Sequence, residues 1–174
     1  MSDLFEKVTG DQDVFKKIAS KIPGFGGYIE RQNRRAADKL LREQIADRFD
    51  LLWKRVSELQ ADFVGSGDIM YLDDLEAAAT KLRTFIDKIK TASYGYSGFF
   101  DAVKVNEEEL AGVYQYDLAL LELGDEVENA IGNIETSIDT DGLPAALRNL
   151  ISIARQCVEA YEKRDEVMKG FGGE

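Results

Sequence analysis

The chain has 174 residues, 44% hydrophobic and 32% charged, with a formal net charge of −11 and a sequence pI near 4.6. That balance fits one globular domain with a sizeable core, and the acidic total argues against a nucleic-acid surface, which needs a basic excess. The absence of histidine excludes Glu-x-x-His di-iron pairs, histidine acid–base chemistry and most zinc sites.

A single cysteine, Cys157, permits no internal disulfide; set in an apolar helical pattern, it reads as a small buried hydrophobe in a reducing, cytoplasmic setting. No apolar run approaches the roughly 18 residues of a membrane span, and the first residues lack the basic and apolar blocks of a signal peptide.

Residues 1–27 read as an arm rather than part of the main bundle. Val14, Phe15, Ile18, Ala19 and Ile22 mark one short amphipathic helix, which Pro23, Gly24, Gly26 and Gly27 end. So short a helix is marginal alone and has to dock, either on its own bundle or, through residues 1–22, on a lipid interface. Four lysines and arginines against four acids over 1–27 give little of the cationic excess that assists lipid binding.

A first long helix is expected over 28–64, where Ala37, Leu41, Ile45, Phe49, Leu52, Val56, Leu59 and Phe63 keep the helical period without interruption. Its first half carries Arg31, Arg34, Arg35, Arg42 and Arg48 among acids, the most basic surface of the chain. These arginines pair along their own helix or face an acidic helix of the same or another subunit. Gly65 to Asp68 form a compact turn with Asp68 as a cap, and a second helix follows over 69–92, antiparallel to the first. In the link after Ser93, Tyr94, Tyr96, Phe99 and Phe100 carry too much apolar area for a flexible tether, so they either cover a neighbouring helix or line a pocket.

The acidic stretch comes next. Residues 107–141 hold eleven carboxylates and no Lys or Arg. Within it Val113, Asp117, Leu120, Gly124, Val127, Ile131, Ile134 and Ile138 alternate steps of four and three, the stripe of a bundle-facing helix over 107–138. Asn106 is a possible cap. Glu122, Asp125, Glu126, Glu128 and Glu135 lie off the stripe and read as an acidic outer face. Tyr114, Tyr116, Leu118, Leu121 and Leu123 make the middle apolar nearly all round, so this part needs cover on more than one side. Asp117 sits on the stripe, where a buried carboxylate needs a partner or a raised pKa.

Asp139 to Leu143 form the next turn, with Pro144 opening a helix over 144–169 and a tail at 171–174. A calcium loop does not fit: with Gly142 at its sixth position the twelfth would be Arg148, where an acid is required. Leu147, Leu150, Ala154, Cys157, Tyr161 and Met168 line one side of the last helix.

These elements predict an all-α fold, an up-down-up-down antiparallel four-helix bundle over 28–170 with a short N-terminal arm. The segment Ile22-Pro23-Gly24-Phe25-Gly26-Gly27-Tyr28, leading into Arg34-Arg35-Ala36-Ala37-Asp38-Lys39-Leu40-Leu41-Arg42-Glu43, resembles the N-terminal part of uncharacterised all-helical bacterial proteins, and Tyr94 to Lys104 is similar to a second patch of that group. The resemblance implies a bacterial cytosolic helical protein and carries no activity. The expected function is a non-enzymatic interaction or scaffold protein without a cofactor, which self-associates or docks a basic partner through the helix 107–138. The alternatives are a peripheral membrane protein using residues 1–22, and a small-molecule or metal-binding bundle centred on Asp117.

Overall fold

A computed structural model of the chain describes residues 14–30, 34–92 and 107–172. Among the described residues the protein is all-helical, with no strand, and no helix is long and apolar enough to cross a membrane. Helix α1 covers 14–21, followed by α2 (Phe25–Glu30), α3 (Arg34–Ser66), a 3₁₀ turn (Ile69–Tyr71), α4 (Leu72–Thr91), α5 (Glu107–Ser137) and α6 (Leu143–Gly172).

Residues 31–33, within the expected rod over 28–64, lie outside the described residues. Tyr28 belongs to the short α2, and the 33-residue α3 begins at Arg34, for a length of about 50 Å at 1.5 Å per residue. Pro23 and Gly24 cause the preceding bend: Gly24 takes φ +88°, a conformation that disfavours a side chain, and Phe25 N–H donates back to Ile22 C=O at 3.3 Å.

At its far end α3 stops at a Schellman motif. Gly67 has φ +88°, its N–H donates to Val64 C=O at 3.3 Å, and Asp68 N–H reaches Phe63 C=O at 2.9 Å. Asp68 is not the cap that its position suggests: its carboxylate accepts Ser66 Oγ at 2.7 Å, and it makes no side-chain cap bond to the 3₁₀ turn.

The helices pack pairwise. Phe49 meets Phe85 at 4.5 Å between ring centroids and Phe63 meets Tyr71 at 6.1 Å, so α3 and α4 run in opposite directions. The five-residue turn 138–142 likewise folds α6 back along α5. Across the two hairpins the sense differs. Arg48 reaches Asp125 and Arg55 reaches Glu135, so α3 and α5 rise together; Phe85 with Tyr161 and Lys88 with Glu162 show the same for α4 and α6. Both short turns therefore lie at one end of the molecule, and α1, α2 and the amino ends of α3 and α5 lie at the other.

The arm is not separate from the bundle. Val14, Ile18, Ile22 and Phe25 are buried in the same core as the long helices. Phe15 and Phe25 stand edge-on to Tyr114 of α5 at 5.3 and 5.5 Å, pairs worth about 0.5–1.5 kcal/mol each beyond their burial. The apolar girdle of α5 is thus covered at Tyr114 by α1 and α2. The apolar face of 14–22 faces protein, and residues 1–13, the rest of the segment expected to reach a lipid interface, lie outside the described residues.

Candidate functional site

The predicted surface acids of α5, Glu122, Asp125, Glu126, Glu128 and Glu135, divide into two groups. Gln115, Glu122, Glu126, Asn129 and Asn133 form its exposed outer line, on which only two residues are acidic. The other predicted acids, Asp125, Glu128 and Glu135, turn toward α3 and are paired within the chain, Glu128 and Glu135 while still exposed. Arg48 Nη2 donates to Asp125 at 2.6 Å and to Glu128 at 3.3 Å, Arg55 donates to Glu135 at 2.9 Å, and Lys21 Nζ lies 3.5 Å from Asp125. The Arg48 hydrogen bond holds the Asp125 carboxyl below the usual range.

Gly124 leaves this seat uncrowded. A Cβ there would lie 3.1 Å from Arg48 Nη1, so the bare backbone gives the guanidinium room to donate at 3.3 Å to Leu121 C=O. Gly124, on the apolar stripe of the sequence, serves a polar contact at the edge of the core.

The predicted basic surface is smaller than expected. Arg42 is buried and bonded to Asp38, and Arg48 is spent on its own α5, so neither offers a face to another copy. Arg34 opens α3, Arg35 is exposed, and Arg31 lies outside the described residues. Tyr94, Tyr96, Phe99 and Phe100, the candidate aromatic cover or pocket, also lie outside them, as does Asn106.

Asp117 belongs to a buried network of four charges. Arg164 of α6 donates through Nε to Asp117 Oδ1 at 2.5 Å and through Nη2 to Asp38 Oδ1 at 2.7 Å; Asp38 also accepts Arg42 Nε at 2.7 Å. Two positive and two negative charges close on each other and tie α3, α5 and α6 together. Burial pushes the Asp117 carboxyl up to about 6, against the pull of Arg164 and with the like charge of Asp38 adding to it.

Held in this way, Asp117 is an internal ion pair and not an accessible ligand centre. Among the described residues no group of acids and Cys157 is placed to hold a metal. Cys157 is a buried thiol whose pKa burial pushes up to about 12, which leaves it un-ionised and unreactive near neutral pH.

Sequence reasoning missed Asp38 and Arg164. The signal for Arg164 is a gap in the α6 stripe: Tyr161 and Met168 are seven apart, and Arg164 fills the step between them. A charge on the seam of α6 and another on the seam of α5 are each other's natural partners.

The excess of acidic residues lies toward the end with the two short turns, where Glu128 and Glu135 are the ones paired with Arg48 and Arg55. Residues 56–80 and 126–147 together carry eleven carboxylates and no Lys or Arg; the remaining 22 acids balance the 22 basic residues elsewhere. Glu58, Asp62, Asp73, Asp139 and Asp141 are exposed there, beside Val64, Ile69 and Met70, which are 61%, 67% and 78% exposed. Apolar side chains this open, inside an acidic rim, are what a docking surface presents. Comparison of the chain with protein-family models, with curated proteins and with solved structures finds no match.

Proposed function

We propose that this chain is a non-enzymatic helical interaction protein of the bacterial cytoplasm, which holds a basic partner through its acidic turn end. The fold behind this reading is an up-down-up-down four-helix bundle of α3 to α6, in which the α3–α4 and α5–α6 hairpins lie side by side. The observation that carries the function is the meeting of exposed Val64, Ile69 and Met70 with an acidic rim that contains no cation over 56–80 and 126–147. Charge complementarity selects the occupant: a cationic amphipathic helix of another protein, with its apolar face on Met70 and Ile69 and its lysines or arginines toward Asp62, Asp73, Asp139 and Asp141.

A synthetic Leu/Lys amphipathic helix serves as the probe, with binding followed by fluorescence anisotropy between low and high salt. Expected is saturable binding that weakens with salt, weakens further in Met70→Ser/Ile69→Ser, and is lost in Asp62→Asn/Asp73→Asn/Asp139→Asn/Asp141→Asn. Equal binding by the wild type and both variants would overturn the reading. A self-associating form remains the second reading, supported by the same apolar tip; a concentration-dependent mass in solution that Met70→Ser abolishes would favour it.

A further inference from the structure

On the flank of the molecule, away from the acidic end, α3 and α4 enclose a cleft of about 230 Å³. Its polar lining is Lys39, Arg42, Glu43, Asp47 and Lys90, and its floor includes Ile89. Arg42 is the built element. Its side chain is only 9% exposed, and Asp38 fixes its Nε edge at 2.7 Å. Asp38 is itself fixed by Arg164 at 2.7 Å. Among the described residues the guanidinium of Arg42 makes no second hydrogen bond, so its Nη edge is held in place beside the cleft without a protein acceptor.

The flanking lysines are free enough to assist. Lys39 is 69% exposed and lies 3.9 Å from Glu43, a distance beyond a hydrogen bond. Lys90 is committed to Asp50 at 2.6 Å and contributes mainly its field.

We infer that this cleft is a binding site for a small organic monocarboxylate, whose two oxygens meet the Nη edge of Arg42 while its apolar part lies on Ile89. The planar guanidinium fork matches a carboxylate and makes charge-assisted bonds roughly twice as strong as neutral ones. Three basic residues face two acidic ones in the lining, and Asp38 and Asp50 already bind two of the three cations, so the site suits one negative charge and not two. An apolar floor adds burial that a bare inorganic anion cannot use.

The test is titration of the full chain with sodium benzoate, followed by backbone amide and arginine Nε–H NMR, with sodium chloride at matched ionic strength as control and inorganic phosphate as the competing anion. Expected are saturable shifts confined to the cleft and including the Arg42 Nε–H, absent with chloride and weaker with phosphate. Glu43→Gln, which removes a lining negative charge, should bind about threefold more tightly, and Lys39→Gln about threefold more weakly. Arg42→Gln should lose at least about tenfold; because it also cuts the link to Asp38, the two exposed-residue variants carry the test if it does not fold. Shifts that do not saturate or that chloride reproduces would overturn the site, as would unchanged affinity in Glu43→Gln and Lys39→Gln. Tighter binding of phosphate would overturn the carboxylate assignment.

Discussion

The two ends of this molecule are joined by different physics. At one end, α1 and α2 cover Tyr114, and the helices are fixed by the buried charges Asp38, Arg42, Asp117 and Arg164. At the other, the chain reverses twice through short turns governed by backbone conformation, at Gly67 and at Asp139, whose φ is +63°. The charged end depends on long-range partners, 47 and 126 residues apart for the bonds of Arg164; the turn end depends on bonds within a few residues. Substitutions at the first should therefore cost more, act across three helices and depend on pH. Those at the second should be smaller and local.

Arg164→Leu should give the largest effect. It leaves Asp117 and Asp38 buried without their shared cation, a loss of about 3–5 kcal/mol in denaturant unfolding. A loss under about 1 kcal/mol would mean that the network contributes no more than an exposed ion pair.

The second expectation is a pH dependence confined to that end. Burial raises the Asp117 pKa from 3.8 to about 6 in the folded chain, so the folded state holds this proton more tightly than the unfolded state does. The contribution of Asp117 is thus most favourable below pH 3.8 and is lost as pH rises through 6. The stability of the wild type relative to Asp117→Asn should increase by about 1–3 kcal/mol between pH 7 and pH 4. Parallel unfolding curves at both pH values would refute it.

At the turn end, Gly67→Ala should destabilise by about 1–2 kcal/mol. Its Cβ would meet nothing within 4 Å, so the penalty is purely one of backbone conformation at φ +88°. Asp139→Gly should act in the opposite direction and add about 0.5–1 kcal/mol, since glycine occupies φ +63° without strain. Both changes should be independent of pH between 5 and 8 if the two ends are as distinct as their bonding suggests, a point thermal melts can check.

The all-helical class and the long helices were legible because each is amphipathic over many turns. Val113, Leu120, Val127, Ile131 and Ile134 are all buried, as their spacing requires. Asp117 was legible as a charge on a seam, but its partners were not, because a stripe tells which side of a helix faces inward and not which helix it meets. The same limit explains the acids of α5. Asp125, Glu128 and Glu135 differ from Glu122 and Glu126 only by a rotation about the axis, and that rotation becomes meaningful once α3 is known to lie on one flank.

The arm was ambiguous for a related reason. An amphipathic segment of this size looks alike whether its apolar side meets protein or lipid. The charge balance of the turn end was hidden because it is assembled from two stretches far apart in sequence.

The seat of Arg48 over Gly124, with its guanidinium on the carbonyl of Leu121, works as a keyed joint between two helices that run the same way. Sliding α5 by one turn in either direction would bring Leu120 or Glu128 to the notch and crowd the guanidinium. That contact therefore favours one axial setting of the two hairpins. In that setting the buried charges of Arg164, Asp117 and Asp38 are also in register, so a surface arginine and a missing side chain mark the alignment of the interior.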